Sequence, residues 1–334
     1  MINYLLIFLF LNLLIYFFQN EIIRIYNVYD NPDNLRKLHL YKTSIAGGLF
    51  FFVNIILSII IIYLKKDLSD FSTLFLSDSN LITFLIVLTC LFLFGYLDDK
   101  FNINANLKLL ILVILLFLII KIDNNLLILK LNFSFSEKIF FLDKFSIIFT
   151  LFCFIAFINA FNLYDGINCQ SGFYIFFILI VIYLSNPNLL LINSLFFPLI
   201  IFLILNFRGK VFIGNSGTYL LGFIISYVII KIYNNENFIN SDKILLIMFL
   251  PGIDMIRLFF IRIKNKRNPF SPDRNHLHHK LLEKFGYKNT IQIITCLSVL
   301  PYCLSFFLKS YISLIFFTIL YFALIKFLNS KKII

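Results

Sequence analysis

Two adjacent carboxylates, Asp98 and Asp99, close an apolar stretch of the chain in the segment FGYLDDK. Like charges repel each other unless a cation lies beside them, and paired carboxylate oxygens suit a hard cation such as Mg²⁺. A solvated helix end explains the same pair equally well. The pair is therefore a candidate metal or phosphate site whose interpretation depends on what lies around it.

A second polar group ends another apolar stretch in NAFNLYDGIN, where Asn159, Asn162, Asp165 and Asn168 follow at intervals of three residues. On a helix this spacing keeps the four side chains along one slowly winding side, and Gly166 is predicted to let the chain turn away. Amides and an acid on an otherwise apolar helix are costly in hydrocarbon, which favours a functional role over simple solvation.

The segment NFRGKVFIGNSGTYLLG contains Asn206, Lys210 and Asn215 next to two glycines, Gly214 and Gly217. Small residues running directly into a helix can present backbone N–H groups to a phosphate. The segment is not a Walker motif, and a plain turn explains it as well.

Three of the four histidines fall in PFSPDRNHLHHKL, which holds Asp273, Arg274, His276, His278 and His279. A zinc site would need a nearby cysteine or a helical i, i+4 pair, and the segment has neither. Histidine and arginine beside a phosphate-bearing substrate is the better interpretation.

A fifth group, DNPDNLRKLHLYKTSIAGG, includes Asp30, Arg36, Lys37 and His39. Taken alone it is a basic loop next to a membrane span, attractive to anionic lipid headgroups. It assigns no chemistry.

The elements that must position these groups are membrane helices. Of the 334 residues, 60% are hydrophobic and 14% charged, with a mean hydropathy of +0.93, so the lipid bilayer must be the solvent. Five cysteines without paired spacing indicate neither disulfides nor a zinc ribbon. The sequence predicts an all-α integral membrane protein with about 10 to 11 transmembrane helices, forming one polytopic domain over residues 1–334. The spans are predicted near 2–18, 45–64, 81–97, 107–122, 145–161, 172–185, 189–206, 217–232, 244–263, 290–308 and 311–328.

Between the spans, alternating residues in 121–144 predict a small hairpin. The basic residues divide unequally: one side of the membrane receives twenty of the 29 lysines and arginines, including every arginine. The positive-inside rule makes that side cytoplasmic, with the N-terminus external and the C-terminus cytoplasmic. The net charge of +12 is thus a topology signal, and no nucleic acid partner is expected.

All five polar groups are predicted to emerge on this same side, from the loops 20–44, 98–108, 162–171, 207–216 and 264–289. A shared site there would meet cytosolic nucleotides and a lipid headgroup. A transporter would instead bury polar groups near the membrane midplane. The pattern therefore favours an enzyme over a carrier.

Taken in order, these motifs resemble the polyprenyl-phosphate N-acetylhexosamine 1-phosphate transferase family, which starts lipid intermediates of peptidoglycan, teichoic acid and O-antigen. The resemblance covers residues 30 to 280: DNPDNLRKLH with its following GG is similar to the family's first cytoplasmic loop, FGYLDDK with Lys108 to its aspartate pair and lysine, and NAFNLYDG to its asparagine and aspartate segment. PFSPDRNHLHHKL is closer to the branch that uses UDP-N-acetylhexosamines.

The resemblance implies a bacterial inner-membrane enzyme that uses Mg²⁺, or Mn²⁺ in its place, transfers a sugar 1-phosphate from a UDP-N-acetylhexosamine to undecaprenyl phosphate, and releases UMP. It leaves a homodimer open. It implies catalytic roles for Asp98, Asp99, Asp165, His276, His278 and His279. Metal ligands would be Asp99, Asp165 and Asn215. Substrate contacts would come from Lys108, Asn159, Asn162, Asn168, Lys210, Phe212, Asp273 and Arg274, with Phe212 as a wall for the uracil ring.

Two departures from the family pattern stand out. Asn215 follows Gly214 where the family usually has an aspartate, and Asn168 stands where a second aspartate usually follows Asp165. Both replace a carboxylate with a neutral amide. A catalytically weakened homologue that binds lipid phosphate or regulates other membrane proteins is therefore the alternative.

Overall fold

The computed structural model describes residues 2–32, 42–66, 68–236, 239–268 and 274–330, and almost all regular structure in these ranges is helical. The helices are α1 (Ile2–Phe17), α2 (Gln19–Tyr26), α3 (Gly47–Leu64), α4 (Asp78–Phe101), α5 (Ala105–Ile122), α6 (Ser146–Tyr164), α7 (Gln170–Ser185), α8 (Leu190–Phe207), α9 (Gly214–Glu236), α10 (Ser241–Ile247), α11 (Phe249–Lys264), α12 (Leu277–Leu304) and α13 (Ser310–Asn329). Four two-residue strands accompany them: β1 (Tyr29–Asp30), β2 (Thr43–Ser44), β3 (Lys130–Leu131) and β4 (Phe140–Phe141).

The chain divides into two compact units, which are described separately. The first comprises residues 1–129 and 142–238, with α1 to α9. The second comprises residues 130–141 and 239–334, with the β3–β4 hairpin and α10 to α13.

Helix α9 is the centre of the first unit, because its most apolar stretch of 18 residues is completely buried inside the protein. Helices α3, α4 and α6 pack against it. The approach of α4 is so close that a Cβ atom at Gly95 would collide with the backbone of Ser216. A glycine is required there because any larger residue would push α4 away from the start of α9.

The same end of the first unit collects the polar helix termini. Asp98 and Asp99 lie in the last turn of α4, α5 begins just before Lys108, α6 ends just after Asn162, and α9 begins beside Asn215. The α4–α5 connection is short because Asn102 ends α4 with a left-handed backbone (φ 51°), a conformation that asparagine tolerates. Asn104 then caps α5 by accepting a hydrogen bond from the Asn106 backbone N–H at 3.0 Å.

The predicted hairpin is confirmed in the second unit, where β3 pairs antiparallel with β4. Asp242 supports it by accepting hydrogen bonds from the backbone N–H and the hydroxyl of Ser134, at 2.8 and 2.5 Å. In the first unit, β1 and β2 pair antiparallel, and Ser44 also bridges to Val211. This small ladder ties the chain before α3 to the chain before α9.

Within the described residues, seven helices are long and apolar enough to cross a membrane, or up to nine if each bent helix pair counts as one span. The chain is therefore a multi-pass membrane protein. The difference from the predicted 10 to 11 spans has local causes. The pairs α1–α2 and α10–α11 bend by 73° and 76°, and α7 has only 16 residues, about 24 Å at 1.5 Å per residue, less than a typical hydrocarbon core. Helix α12 is broken at Gly286 (φ 73°, ψ 175°), so the predicted span 290–308 begins after this kink.

The predicted orientation can be tested with single cysteines in a cysteine-free background. We expect Cys at position 266 to be shielded from an impermeant thiol reagent in intact cells, because the unequal distribution of basic residues places the loop at 264–289 in the cytoplasm. Cys at position 235, on the opposite side of the membrane, should be labelled. Both native side chains, Lys266 and Asn235, are exposed, so both positions should react once the membrane is permeabilised. The opposite pattern in intact cells would invert the topology.

Candidate active site

Asp98 lies completely buried at the C-terminal end of α4, with hydrogen-bond donors at both carboxylate oxygens. Oδ1 accepts a hydrogen bond from the backbone N–H of Ile103, in the α4–α5 connection, at 3.0 Å. Oδ2 accepts a hydrogen bond from the Tyr219 hydroxyl at 3.0 Å and lies 2.8 Å from Lys108 Nζ. The family resemblance grouped Lys108 with the aspartate pair, and the structure joins it to Asp98 as an ion pair.

Asp99, the next residue, faces the beginning of α9. Its Oδ1 accepts the backbone N–H of Asn215 at 2.8 Å, and its Oδ2 accepts that of Ser216 at 3.1 Å. A carboxylate at a helix N-terminus is favourable because it meets the unpaired N–H groups and the positive end of the helix dipole. Gly214 (φ 71°) makes room for it, since a Cβ atom there would meet Asp99 Oδ2.

This geometry changes the interpretation of the glycine-bordered segment before α9. The backbone N–H groups of Asn215 and Ser216, which the sequence offered to a phosphate, donate to Asp99. The segment therefore positions an acidic side chain, and a phosphate at this site would have to be bound by other groups.

Asn215 contacts the second predicted cluster through Asn162 of α6. Asn162 Nδ2 donates to Asn215 Oδ1 at 2.8 Å and to Thr218 Oγ1 at 2.7 Å. Three of the predicted clusters, around Asp99, Asn162 and Asn215, are thus brought together by hydrogen bonds between α4, α6 and α9.

Asp165 is the C-cap of α6, one turn beyond Asn162. Burial raises the pKa of its carboxyl from 3.8 to about 6, and the Ser171 side chain acts in the opposite direction. In the turn after Asp165, the residue with a left-handed backbone is Cys169 (φ 64°). Gly166, which was predicted to turn the chain, has no positive φ.

Asn206, at the end of α8, fixes this turn. Its Oδ1 accepts the backbone N–H of Cys169 at 2.5 Å, and its Nδ2 donates to the Val211 carbonyl at 2.7 Å. Asn168 lies half-buried in the same turn. The amide of Asn206 therefore joins the α6–α7 turn to the segment that leads into α9.

Three other predicted residues have plainer surroundings. Asn159 donates to the Ile155 carbonyl of its own helix at 2.9 Å, and Lys210 is exposed. Phe212 is half-buried, and its backbone bonds to Ser44 and Gly47.

An open surface pocket adjoins Asp99 in the first unit. It is lined by Asn27, Val28, Tyr29, Asn31, Lys42, Asp99 and Lys100. Lys42 and Lys100 place two positive charges on its walls, and Lys42 Nζ lies 4.3 Å from the centroid of the Tyr29 ring. The pocket is therefore suited to a negatively charged group beside Asp99.

The second unit has its own polar cluster, centred on Asp254 of α11. Its Oδ1 accepts hydrogen bonds from Arg257 Nη2 at 2.8 Å and from the Tyr321 hydroxyl at 2.6 Å. Its Oδ2 lies 2.9 Å from His276 Nδ1. A buried carboxylate satisfied by these groups orients the His276 ring at the start of α12.

The other two histidines pack on His276. The His276 and His278 rings stack with centroids 5.3 Å apart, and those of His278 and His279 lie 4.3 Å apart. Burial, together with the neighbouring His279 and His276, lowers the pKa of His278 well below its usual range. These surroundings therefore favour the neutral form of His278.

Arg274 is exposed at the edge of the described chain. Asp273, and the basic residues Arg36, Lys37 and His39 of the first loop, lie outside the described residues.

Three residues of these clusters were not singled out from the sequence. Tyr219 looks like one more aromatic residue of an apolar helix, although it lies one turn after Asn215. Asp254 and Arg257 could have been recognised from the sequence. They are an acid and a base three residues apart within an apolar helix, and burying such charges is costly unless the two side chains pair.

The predicted metal ligands partly fit a magnesium ion. Asp99 offers two carboxylate oxygens and Asn215 one amide oxygen, the kind of ligand atom that Mg²⁺ prefers, and each oxygen of Asp99 accepts a single backbone hydrogen bond. No group of three or more His, Cys, Asp or Glu side chains that could hold a metal was found among the described residues. Substrate phosphate oxygens would have to complete the coordination.

Comparison with known proteins agrees with the motifs. Residues 81–233 match the sequence model of glycosyl transferase family 4. The chain is similar to the undecaprenyl-phosphate alpha-N-acetylglucosaminyl 1-phosphate transferase of Escherichia coli O157:H7, with 27% identity over 312 residues, 88% of this chain and 80% of that protein.

Proteins of the same name from two other bacteria are also similar to this chain. The one from Yersinia pestis is 27% identical over 289 residues, 81% of this chain and 74% of that protein. The one from Thermotoga maritima is 31% identical over 155 residues, 46% of this chain and 49% of that protein. These similarities confirm the resemblance predicted from the motifs: this multi-pass membrane protein is similar to undecaprenyl-phosphate N-acetylglucosaminyl 1-phosphate transferases, and residues 81–233 match glycosyl transferase family 4.

Proposed function

We propose that this protein transfers a sugar 1-phosphate from a UDP-linked N-acetylhexosamine to undecaprenyl phosphate and releases UMP. The observation that carries the proposal is the joined cluster of Asp98, Asp99, Lys108, Asn162 and Asn215, which unites the ends of four helices inside the family-matched segment. The relatives' names describe the same class of transfer.

The reaction brings a lipid phosphate against a diphosphate, so its main obstacle is the repulsion between like charges. Lys108 supplies a partly exposed ammonium beside the cluster, and Lys42 and Lys100 line the adjoining pocket. Mg²⁺ or Mn²⁺, when bound, would neutralise further phosphate charge. Asp99 and Asn215 are the side chains we assign to hold it, and the family resemblance adds Asp165 as a third ligand.

The acceptor needs little activation. A phosphate monoester has a second pKa near ~6, so it is largely a dianion at neutral pH and is already a nucleophile. The chain's residues therefore act mainly by aligning two phosphates and stabilising the charge that develops during transfer. In the second unit, His276 is oriented by Asp254 and is the histidine best prepared to donate a hydrogen bond to a phosphate oxygen.

The experiment that tests the proposal measures UMP release by purified protein in a bacterial inner-membrane lipid mixture. Undecaprenyl phosphate and a panel of UDP-sugars are supplied with Mg²⁺. We expect release that requires both substrates, with a UDP-N-acetylhexosamine preferred. No release with any sugar would reject the proposal.

The weakened-homologue alternative has one observation in its favour. Asn215 presents a neutral amide beside Asp99, and its oxygen already accepts a hydrogen bond from Asn162. If the protein binds polyprenyl phosphate but turns over no UDP-sugar, this alternative becomes the better account.

The amide at position 215 predicts an unusual metal requirement. Because Mg²⁺ favours anionic oxygen, Asn215→Asp should retain or gain activity and reach half-maximal UMP release at a lower Mg²⁺ concentration. Asn106→Asp is the matched control, since it adds the same charge at an exposed position at the start of α5 and should leave the Mg²⁺ curve unchanged. Loss of turnover by a folded Asn215→Asp protein would instead give the asparagine a role of its own.

A further inference from the structure

The Asp98 carboxylate has little capacity left for a substrate or a metal. A carboxylate offers about four lone-pair positions, and three are directed at Ile103 N–H, the Tyr219 hydroxyl and Lys108 Nζ. The side chain is also completely buried. Its surroundings are those of a group that holds its neighbours in place.

Tyr219 is the least expected of these neighbours. Its ring stacks on Phe94 of α4, with centroids 5.8 Å apart and planes 12° apart, and it is 3% exposed. A phenylalanine would fill this space equally well. The hydroxyl is therefore explained by its hydrogen bond to Asp98 Oδ2, the same oxygen that pairs with Lys108.

Lys108 differs from both partners because its side chain is 29% exposed. An ammonium has three N–H donors and no acceptor, so its contact with one carboxylate oxygen leaves donor capacity for an anion. The lysine stem is flexible and costs rotamer entropy to immobilise. An ion pair with a rigid, hydrogen-bonded carboxylate would fix the ammonium before the anion arrives.

We propose that Tyr219 and Asp98 are positioning residues that together fix the Lys108 ammonium, and that Lys108 binds a phosphate group of the substrates. The inference rests on the proposed function, which requires a phosphate at this cluster. It assigns Tyr219 a role in the reaction and gives Asp98 an indirect one, through Lys108.

The first test measures how fast the amine of each lysine is acetylated by an N-hydroxysuccinimide ester, read by peptide mass spectrometry. Farnesyl phosphate or a UDP-N-acetylhexosamine should slow the acetylation of Lys108, whereas farnesol should not. Lys121, exposed at the other end of α5 and about 20 Å away at 1.5 Å per residue, is the internal control. Protection by the farnesyl compound assigns the acceptor phosphate, and protection by the nucleotide assigns the donor. Protection by neither overturns the assignment of Lys108.

The second test asks whether Tyr219 acts through Lys108. Tyr219→Phe should lower kcat/KM roughly 3- to 10-fold, the effect of one hydrogen bond, and should weaken protection of Lys108 by a similar factor. In a Lys108→Met background the same change should have no further effect on kcat/KM. An equal loss in both backgrounds, or no loss in either, would overturn the positioning role.

Tyr227→Phe separates positioning from stability. Tyr227 lies on the same helix, and its hydroxyl also donates to a buried aspartate, Asp123, at 3.0 Å. It should lower thermal stability as Tyr219→Phe does, yet leave kcat/KM and the protection of Lys108 unchanged. If the two variants lose kcat/KM and protection alike, Tyr219 has only a structural role.

The two proposals fail in different ways. Protection of Lys108 without any UMP release would reject the transfer reaction but support the phosphate site. Turnover with unprotected Lys108 would support the transfer reaction and reject this inference.

Discussion

Asp99→Asn is expected to reduce UMP release by at least ~10²-fold, because the loss of a charge or ligand at a metal-assisted phosphoryl transfer costs several kcal/mol. The structure adds a second reason. Both oxygens of Asp99 accept backbone N–H groups of α9, and an amide nitrogen in place of one of them would set a donor against a donor. Asp98→Asn, which removes the charge that pairs with Lys108, and Asp165→Asn are expected to show losses of the same size.

The matched control for these variants is Asp78→Asn, at the opposite end of α4. Asp78 forms an ion pair with Lys66 in which both side chains are nearly half exposed, and such surface pairs contribute little. Its UMP release should stay near normal. Near-normal release by Asp98→Asn, Asp99→Asn and Asp165→Asn as well would reject the site assignment.

A large effect on stability is expected from the ion pair between Asp123 and Lys231, in the first unit. Lys231 Nζ lies 2.8 Å from Oδ1 and 2.7 Å from Oδ2 of Asp123, and both side chains are buried. Replacing one partner leaves the other charge buried without an opposite charge beside it. Lys231→Met or Asp123→Leu should therefore each lower the free energy of unfolding by about 3–5 kcal/mol.

The double variant Asp123→Leu/Lys231→Met should recover most of this loss, since no charge remains buried. Thermal unfolding in detergent measures the effect, and Lys66→Met, which breaks the exposed pair with Asp78, should change stability by less than about 1 kcal/mol. If the two single losses simply add in the double variant, the pair does not act as a unit.

Much of the helical fold could be predicted from the sequence, because apolar runs flanked by polar residues have few other solutions in a bilayer. The β3–β4 hairpin could also be predicted, from the alternation of apolar and polar residues alone. What hydropathy could not give is the interruption of helices: the sharp bend between α10 and α11 lies at Met248, a residue with no intrinsic tendency to break a helix. The local cause is Pro251 in the first turn of α11, which has no backbone N–H to donate to the carbonyl of Ile247 at the end of α10.

The site was predictable where charge stands out against hydrocarbon. Asp98, Asp99 and Asn162 could be singled out because polar groups are costly at the ends of apolar spans. Their roles could not be predicted, because the role of a side chain depends on partners that are distant in sequence. Asp99, for example, accepts hydrogen bonds from residues more than a hundred positions later. Tyr219 gave no signal at all, because a buried tyrosine in an apolar helix resembles any other core aromatic residue.

The most direct measurement of the central claim follows the β-phosphorus of the donor. Wild-type protein is given UDP-N-acetylglucosamine labelled with ³²P at the β-position, together with undecaprenyl phosphate and Mg²⁺. Transfer of a sugar 1-phosphate predicts that the label moves into a lipid-linked diphosphate, while the released UMP is unlabelled. Label that stays in the nucleotide as UDP while sugar enters the lipid would show transfer of the sugar alone, and would contradict the account.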